Sequence, residues 1–266
     1  MAVSVPNPTP YPEVNALLHE LLSGVQAILG EHLLGMYLDG SLATGNFDLR
    51  RSDVDFLVVT EAALPDDLLE MLQAMHARIA ASDLPLATEL EGSYIPKDAL
   101  RRHDPARARH PRIERDGRGL HLEQHASDWV IHRSILRECG IALLGPAPSA
   151  LIDPVAPDDL RRAVAALVRE WWAPMRADPV LLRQDGYRAY AVLTMCRVLY
   201  TLAFGTVVSK PVAARWAQQG PGERWAALIE RALTWPDHAP QDDLNETLDL
   251  IHYVSERCQQ YEIEGV

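Results

Sequence analysis

The 266-residue sequence contains little cysteine, and its cysteines form no recognisable pattern. Cys139, Cys196 and Cys258 are odd in number and lie far apart along the chain. A disulfide framework needs paired cysteines, and a zinc site needs them at short, regular spacings. We therefore expect three reduced thiols that pack as small apolar side chains.

Long apolar runs are also missing. No apolar stretch reaches the roughly 18 residues that a membrane-spanning helix requires. The first residues, MAVSVPNPTPYPEV, lack the basic and apolar regions of a secretory signal. We expect a cytoplasmic protein without a membrane partner.

Basic residues are fewer than acidic ones. The chain has 25 Lys and Arg against 37 Asp and Glu, which gives a formal net charge of −12. A general nucleic-acid binder normally carries a basic field, so the composition disfavours a nucleic-acid partner. An acidic surface is compatible with small polycations, although many proteins carry one simply for solubility.

The first half of the chain alternates helical and strand patterns. Apolar residues recur at helical spacing from about residue 12 until Gly30, and a second helix is predicted over 65–82. Short apolar runs over 33–38, 54–60 and 86–96 are typical of strands. A further helix over 126–139 and a short strand over 140–146 follow. These elements predict an α/β region with a small mixed sheet.

The second half of the chain carries almost no strand signal. Helical patterns occupy 157–172, 184–204, 210–219, 222–234 and 241–262, and short loops with Gly or Pro separate them. This spacing is typical of a helical bundle. We therefore expect an α/β domain over residues 1–150 and an all-helical domain over residues 151–266.

An arginine-rich segment interrupts the α/β pattern, which we expect to break over residues 97–124. Residues 101–119, RRHDPARARHPRIERDGRG, contain seven arginines and three acidic residues. Such a segment is compatible with a solvated loop or hairpin. It is also compatible with a basic flap over an anionic ligand.

Two aspartates lie at the start of a predicted buried strand. Asp53 and Asp55 alternate in SDVDFLVV, so their carboxylates share one face of the strand. Two such carboxylates repel each other unless a cation lies between them, and oxygen ligands suit Mg²⁺. Eleven residues separate Asp53 from Ser41, and Gly40-Ser41 follows the preceding strand, where a tight turn can hold a phosphate.

A third carboxylate could come from the strand pattern LATELEGSYIP. Glu89 and Glu91 are two residues apart and therefore share a face. Either one could complete a metal site. Either one could instead be the general base that takes a proton from an acceptor hydroxyl.

These motifs resemble those of the nucleotidyltransferase superfamily with a polymerase-β-like fold. YLDGS at 37–41 and SDVDF at 52–56 match its pattern of Gly-Ser, about ten residues, then Asp-apolar-Asp-apolar. Longer stretches resemble the streptomycin/spectinomycin-type aminoglycoside adenylyltransferases. They are residues 33–60, IALLGPAPSALIDPV (141–155), AVLTMCRVLYTLAFGTVVSKPVAARWA (191–217) and LIHYV (250–254).

The resemblance implies a role for several residues. Ser41 and Ser52 match serines near the triphosphate of ATP, and Asp53 and Asp55 match aspartates that bind Mg²⁺. Glu91 lies where the family has a catalytic glutamate, with Glu89 as the alternative if the register is shifted. From the helical domain, Arg197 and Lys210 match basic residues that hold the phosphates. The family also implies that ATP and the drug bind between the two domains.

The sequence departs from the resemblance where the drug is recognised. Streptomycin-modifying members use a tryptophan shortly before the helix at 126–139, whereas the first tryptophan here is Trp129. They also use an acidic residue ahead of the stretch that corresponds to LTMCR (193–197), and Asp185 is the nearest candidate. Asp185, together with Glu89, is the predicted contact to the acceptor.

The sequence thus predicts a Mg²⁺-dependent enzyme that transfers AMP from ATP to a hydroxyl of a small acceptor, an aminoglycoside-like antibiotic, and releases pyrophosphate. Gly40 and Ser41 would seat the phosphates. One alternative is the same chemistry on a protein or RNA partner, as in toxin–antitoxin nucleotidyltransferases, which the arginine-rich segment favours. Another is a non-catalytic ATP sensor, which would need no general base.

Overall fold

A computed structural model describes residues 7–115, 119–237 and 243–261 of the chain. The chain divides into two compact units, Met1–Pro154 and Val155–Val266. Two predicted segments extend beyond the described residues. They are the arginine-rich segment, at residues 116–118, and the helix predicted over 241–262, at residues 241, 242 and 262. Among the described helices, none is both long and apolar enough to cross a membrane.

The first unit is an α/β structure, as predicted. Its elements in chain order are α1 (Pro12–Leu29), β1 (Leu33–Leu38), α2 (Gly40–Ala43), β2 (Val54–Thr60), α3 (Asp66–Ala80), β3 (Leu90–Pro96), α4 (Lys97–Arg101), β4 (Arg109–Ile113), β5 (His121–Gln124), α5 (Asp128–Cys139), β6 (Ile141–Leu144) and α6 (Pro148–Leu151). Strands β1 and β2 have the predicted bounds. Helix α3 begins after Pro65 with Asp66 and Asp67 in its first turn, where acidic side chains complement the helix dipole.

The six strands form one mixed sheet in the order β5-β4-β3-β2-β1-β6. Only the β2–β3 pair among them is parallel, because α3 carries the chain back between these two strands. In that pair Asp55 lies opposite Glu91. The parallel register therefore brings the predicted aspartates and the predicted glutamate to the same end of the sheet.

Both faces of the sheet are covered. Side chains alternate along β2, so Phe56 and Val58 join the core beneath α1 and α3. Leu57 and Val59 point to the other face and pack with Trp129 of α5. Asp55 has the same parity as Leu57, so its carboxylate lies on the α5 face of the sheet.

Two sequence expectations differ from the structure in this unit. The strand predicted over 86–96 begins only at Leu90, because Leu86 has a positive φ of 63° and accepts the Glu89 N–H in a turn. The segment 97–124 does not break the sheet, since it contributes β4 and β5 as a hairpin beside β3. Its sequence is rich in charged residues and has no apolar periodicity that would reveal the strands.

In the second unit, the regular elements of the described residues are all helical. They are α7 (Pro157–Leu167), which continues as a π-helical turn (Val168–Trp172), then α8 (Asp185–Phe204), α9 (Lys210–Gln218), α10 (Ala226–Thr234) and α11 (Leu244–Cys258). Helices α7, α9, α10 and α11 all pack against α8. Helix α8 is apolar around most of its circumference and ends at Gly205, which adopts the left-handed conformation with φ of 65°.

Candidate active site

Three carboxylates meet where β2 and β3 begin. Asp53 directly precedes β2, Asp55 is its second residue and Glu91 is the second residue of β3. One oxygen from each lies within 4.8 Å of the other two. Asp53 and Asp55 lie close together because alternate residues of a strand share a face. Glu91 lies close to Asp55 because the two residues are opposite each other in the parallel β2–β3 pair.

Two arginines of the β4–β5 hairpin neutralise part of this charge. Arg115 Nη1 lies 2.9 Å from Asp53 Oδ1, and Arg115 Nε lies 3.3 Å from Glu91 Oε1. Arg112 Nη2 lies 3.6 Å from Glu91 Oε2. The arginine-rich segment therefore borders the acidic site, which its sequence alone could not show.

The crowding of the carboxylates changes their acidity. Burial, followed by the charges of Asp39, Asp53 and Glu91, raises the pKa of Asp55 to about 7. Burial and the charge of Asp53 raise the pKa of Glu91 above its usual value, against the opposing effect of the two arginines. Both shifts show a site that favours additional positive charge or protons.

The turn between β1 and β2 is fitted closely to Asp55. Gly40 has a φ of +59°, and a Cβ at this position would lie 1.9 Å from Asp55 Oδ2. Glycine is therefore required both for the backbone conformation and for the close approach. The backbone N–H of Asp39 donates to the Asp55 carbonyl at 3.2 Å, which ties the turn to β2.

The two predicted serines have different environments. Ser41 Oγ is shielded from solvent and has no hydrogen-bond partner within the described part of the chain. Ser52 Oγ accepts the Asp48 N–H at 3.0 Å and so closes the loop before β2. The unsatisfied Ser41 hydroxyl is the one that is ready to donate to a ligand oxygen.

A divalent cation fits this set of residues. Asp53, Asp55 and Glu91 offer only oxygen atoms, which are the ligands that Mg²⁺ prefers. Carboxylates on only one side of the site leave room for water and phosphate oxygens in the rest of the coordination shell.

Glu89 is separated from this group. It lies in the turn before β3, and its Oε2 accepts from Arg115 Nη1 at 2.9 Å. The group of three close carboxylates includes Glu91 rather than Glu89. The geometry thus favours Glu91 of the two glutamates that the sequence left open.

Sequence reasoning missed Asp39 and His132. Asp39 is buried, its Oδ2 lies 3.1 Å from His132 Nδ1, and its Oδ1 has no partner among the described residues. Burial alone would lower the pKa of His132, but the hydrogen bond and charge of Asp39 raise it. The only available signal was the position of Asp39 directly before Gly40-Ser41, since nothing in the sequence connects His132 of α5 to it.

The remaining predicted residues belong to the helical unit. Arg197 lies on α8 among buried apolar residues, and Lys210 is the first residue of α9. Lys210 Nζ lies 4.1 Å from the centroid of the Tyr190 ring. Asp185, the first residue of α8, is paired with Arg188. Their roles toward phosphates and acceptor remain predictions.

Comparisons with known proteins match this architecture. The family model "Aminoglycoside adenylyltransferase, C-terminal domain" matches residues 150–259. The chain is 27% identical over 270 residues to an aminoglycoside (3'') (9) adenylyltransferase of Shigella flexneri, covering 91% of this chain and 94% of that protein. It is 26% identical over 206 residues to a spectinomycin 9-adenylyltransferase of Staphylococcus aureus, covering 74% and 75% of the two chains.

A solved structure has the same fold. The crystal structure of spectinomycin adenyltransferase AAD(9) from Enterococcus faecialis, with ATP and spectinomycin, superposes with a TM-score of 0.71 at 20% identity. The match covers 92% of this chain and 98% of that one. The predicted fold class, an α/β unit followed by a helical unit, is confirmed. The chain is thus similar to aminoglycoside adenylyltransferases along most of its length, and residues 150–259 match the C-terminal domain of that family.

Proposed function

We propose that this protein transfers AMP from ATP to a hydroxyl group of an aminoglycoside-like acceptor and releases pyrophosphate. The observation that carries the proposal is the group of Asp53, Asp55 and Glu91 at one end of the sheet, all within 4.8 Å. The similarity to aminoglycoside adenylyltransferases supports the type of reaction, and the all-oxygen group supports a metal-bound triphosphate as the donor.

Asp53 and Asp55 would hold Mg²⁺. When bound, the ion neutralises the triphosphate and orients it for in-line attack. Gly40 and Ser41 would seat phosphate oxygens, because the turn has no Cβ at Gly40 and the buried Ser41 hydroxyl lacks a partner within the described residues. Ser52 would be a weaker contact, since its oxygen already accepts a backbone N–H.

Glu91 would accept the proton of the acceptor hydroxyl. Its raised pKa brings it closer to neutral pH, which favours proton transfer during the reaction. Arg197 and Lys210 would neutralise the charge that develops on the leaving pyrophosphate. Asp185 would contact a cationic group of the acceptor, in exchange for its present partner Arg188.

The test is a pyrophosphate-release assay with ATP and Mg²⁺ against a panel of aminoglycosides and spectinomycin. We expect release with at least one acceptor and none without an acceptor. The Asp53→Asn and Asp55→Asn variants should lose both turnover and Mg²⁺-dependent ATP binding while keeping their circular dichroism spectrum.

The outcomes separate the candidate functions. Tight ATP binding by the double variant in EDTA would contradict the metal role of the aspartates. Release that occurs only after addition of cell lysate would favour a macromolecular acceptor. Binding of ATP with no turnover under any condition would favour a nucleotide sensor.

A further inference from the structure

The guanidinium of Arg115 contacts the group of carboxylates to which we assigned the metal. Its Nη1 lies 2.9 Å from Asp53 Oδ1 and 2.9 Å from Glu89 Oε2, and its Nε lies 3.3 Å from Glu91 Oε1. A single cation thus joins three acidic side chains from two neighbouring strand ends. This is the neutralising role that a divalent ion would have at the same carboxylates.

Arg112, the neighbouring arginine, differs from Arg115 in how it is held. Its side chain is 17% exposed, and its Nε donates to Glu114 Oε1 at 3.0 Å within the same hairpin. It also belongs to β4, whose backbone pairs with β3 at Ser93. Arg112 can therefore keep its position whatever binds to the aspartates.

Arg115 is less constrained. Its side chain is 43% exposed, and it lies two residues beyond the end of β4. Its ion pairs within the described part of the chain are those to Asp53, Glu89 and Glu91. A long arginine side chain at such a position can exchange partners at little cost, because solvent reaches it in either state.

Resting on the function proposed above, we propose that Arg115 is the counter-cation of the metal site and makes metal binding conditional on the nucleotide. A divalent ion at Asp53 must displace the guanidinium from that carboxylate. Without nucleotide, the guanidinium loses its Asp53 acceptor and gains none in its place. With nucleotide, phosphate oxygens offer it new ones, and bidentate pairing with phosphate suits arginine well.

Removal of Arg115 therefore changes the metal affinity by different amounts in the two states. Without nucleotide, the metal no longer competes with a positive charge, so its affinity rises. With nucleotide, the variant also lacks the arginine–phosphate contact, so this gain shrinks or disappears. Arg115 thus contributes a coupling free energy between the metal and the nucleotide.

The test is titration of the full-length protein with Mn²⁺, followed by electron paramagnetic resonance, with and without α,β-methylene ATP. Without nucleotide, we expect Arg115→Gln to bind Mn²⁺ about fivefold more tightly than the wild type, the upper range for a partly exposed ion pair. With the analogue, the difference should decrease. Arg109→Gln is the matched control, because Arg109 is an exposed arginine of the same hairpin and should behave as wild type.

Equal or weaker Mn²⁺ binding by Arg115→Gln without nucleotide would overturn the proposal. If that variant does not fold, Arg115→Lys provides the same test. It keeps the charge but loses the bridging geometry, so its Mn²⁺ affinity should exceed that of the wild type by less than the gain expected for Arg115→Gln. Asp53→Asn distinguishes the two proposals. If it leaves Mn²⁺ binding unchanged, the metal role in the proposed function fails. If it abolishes binding but Arg115→Gln gives no increase, only the role of Arg115 fails.

Discussion

Two clusters of side chains that could bind a metal ion lie on the same sheet. They differ in how their negative charge is balanced. The first is the strand-end group of Asp53, Asp55 and Glu91. The second is the hairpin group of Glu114, His121 and Glu123, which is equally close-packed. Proximity alone would make both groups metal sites.

The hairpin group already has cationic and hydrogen-bonding partners within the hairpin. Arg112 Nε lies 3.0 Å from Glu114 Oε1 and 3.8 Å from Glu123 Oε2. His121 Nδ1 lies 2.9 Å from the Gly119 carbonyl oxygen and its Nε2 lies 3.1 Å from Glu123 Oε2.

The strand-end group is different, because its partner for Asp53 and Glu91, Arg115, is partly exposed and also serves Glu89. Burial and mutual repulsion raise the pKa of Asp55 to about 7. We infer that the burial and mutual repulsion of the carboxylates, rather than the distance between ligand atoms, distinguish the group proposed to hold a metal. Four predictions test this comparison.

The largest effect is expected at Glu91. Glu91→Gln keeps the shape of the side chain but removes the base, so turnover should fall by about 10²–10⁴-fold. Stopped assays of pyrophosphate release measure this loss, and ATP binding should persist. Glu89→Gln is the comparison two residues away and should lose less turnover than Glu91→Gln. The reverse pattern would make Glu89 the base.

Gly40 should be the next most sensitive position. In Gly40→Ala the new Cβ would stand 1.9 Å from Asp55 Oδ2, so this proposed metal ligand must move. Gly45→Ala is the control, since its φ is also positive, at +72°, but nothing lies within 4 Å of the added Cβ. Both variants should lose about 1–2 kcal/mol of unfolding free energy from backbone strain.

Only Gly40→Ala should also lose affinity for Mn²⁺ and turnover. Denaturant titration measures the loss of stability that both variants share, and Mn²⁺ titration measures the loss of metal affinity that is expected only for Gly40→Ala. Equal Mn²⁺ affinity in the two variants would show that Asp55 tolerates displacement.

A moderate and pH-dependent effect on stability is expected at Asp55. Its folded-state pKa of about 7 lies above the ordinary value of 3.8. The protonated side chain therefore favours the folded state fully below pH 3.8, and this contribution is lost as the pH rises through 7. Asp55→Asn does not titrate and avoids this loss.

In EDTA, the melting temperature of Asp55→Asn relative to that of the wild type should therefore increase by about 3 °C as the pH rises from 5 to 8. A difference between the two proteins that does not change with pH would contradict the raised pKa of Asp55.

The smallest effect is expected in the hairpin group. Glu114→Gln removes one acceptor of Arg112, which should reduce the unfolding free energy by about 1 kcal/mol or less. Turnover and Mn²⁺ affinity should not change. A loss of one bound Mn²⁺ per chain in this variant would show that the hairpin group also holds a metal, and the comparison would fail.

The site was predictable where local patterns encode it. The alternation of Asp53 and Asp55 and the position of Gly40-Ser41 follow from short segments whose geometry depends on neighbouring residues. The choice between Glu89 and Glu91 was not predictable, because the turn at Leu86 decides where β3 begins. Arg115, Asp39 and His132 were not predictable as site residues either, since non-local packing brings them there.

The sequence by itself determined the strands that carry the aspartates, the helical second half and the class of chemistry, since each depends on periodicity or on a short motif. Tertiary structure decided the remainder. The parallel β2–β3 register placed Glu91 opposite Asp55, and the unpredicted β4–β5 hairpin placed Arg115 against Asp53. The physical reason is that charge neutralisation depends on distances in space, and a chain records such distances only where the partners are close in sequence.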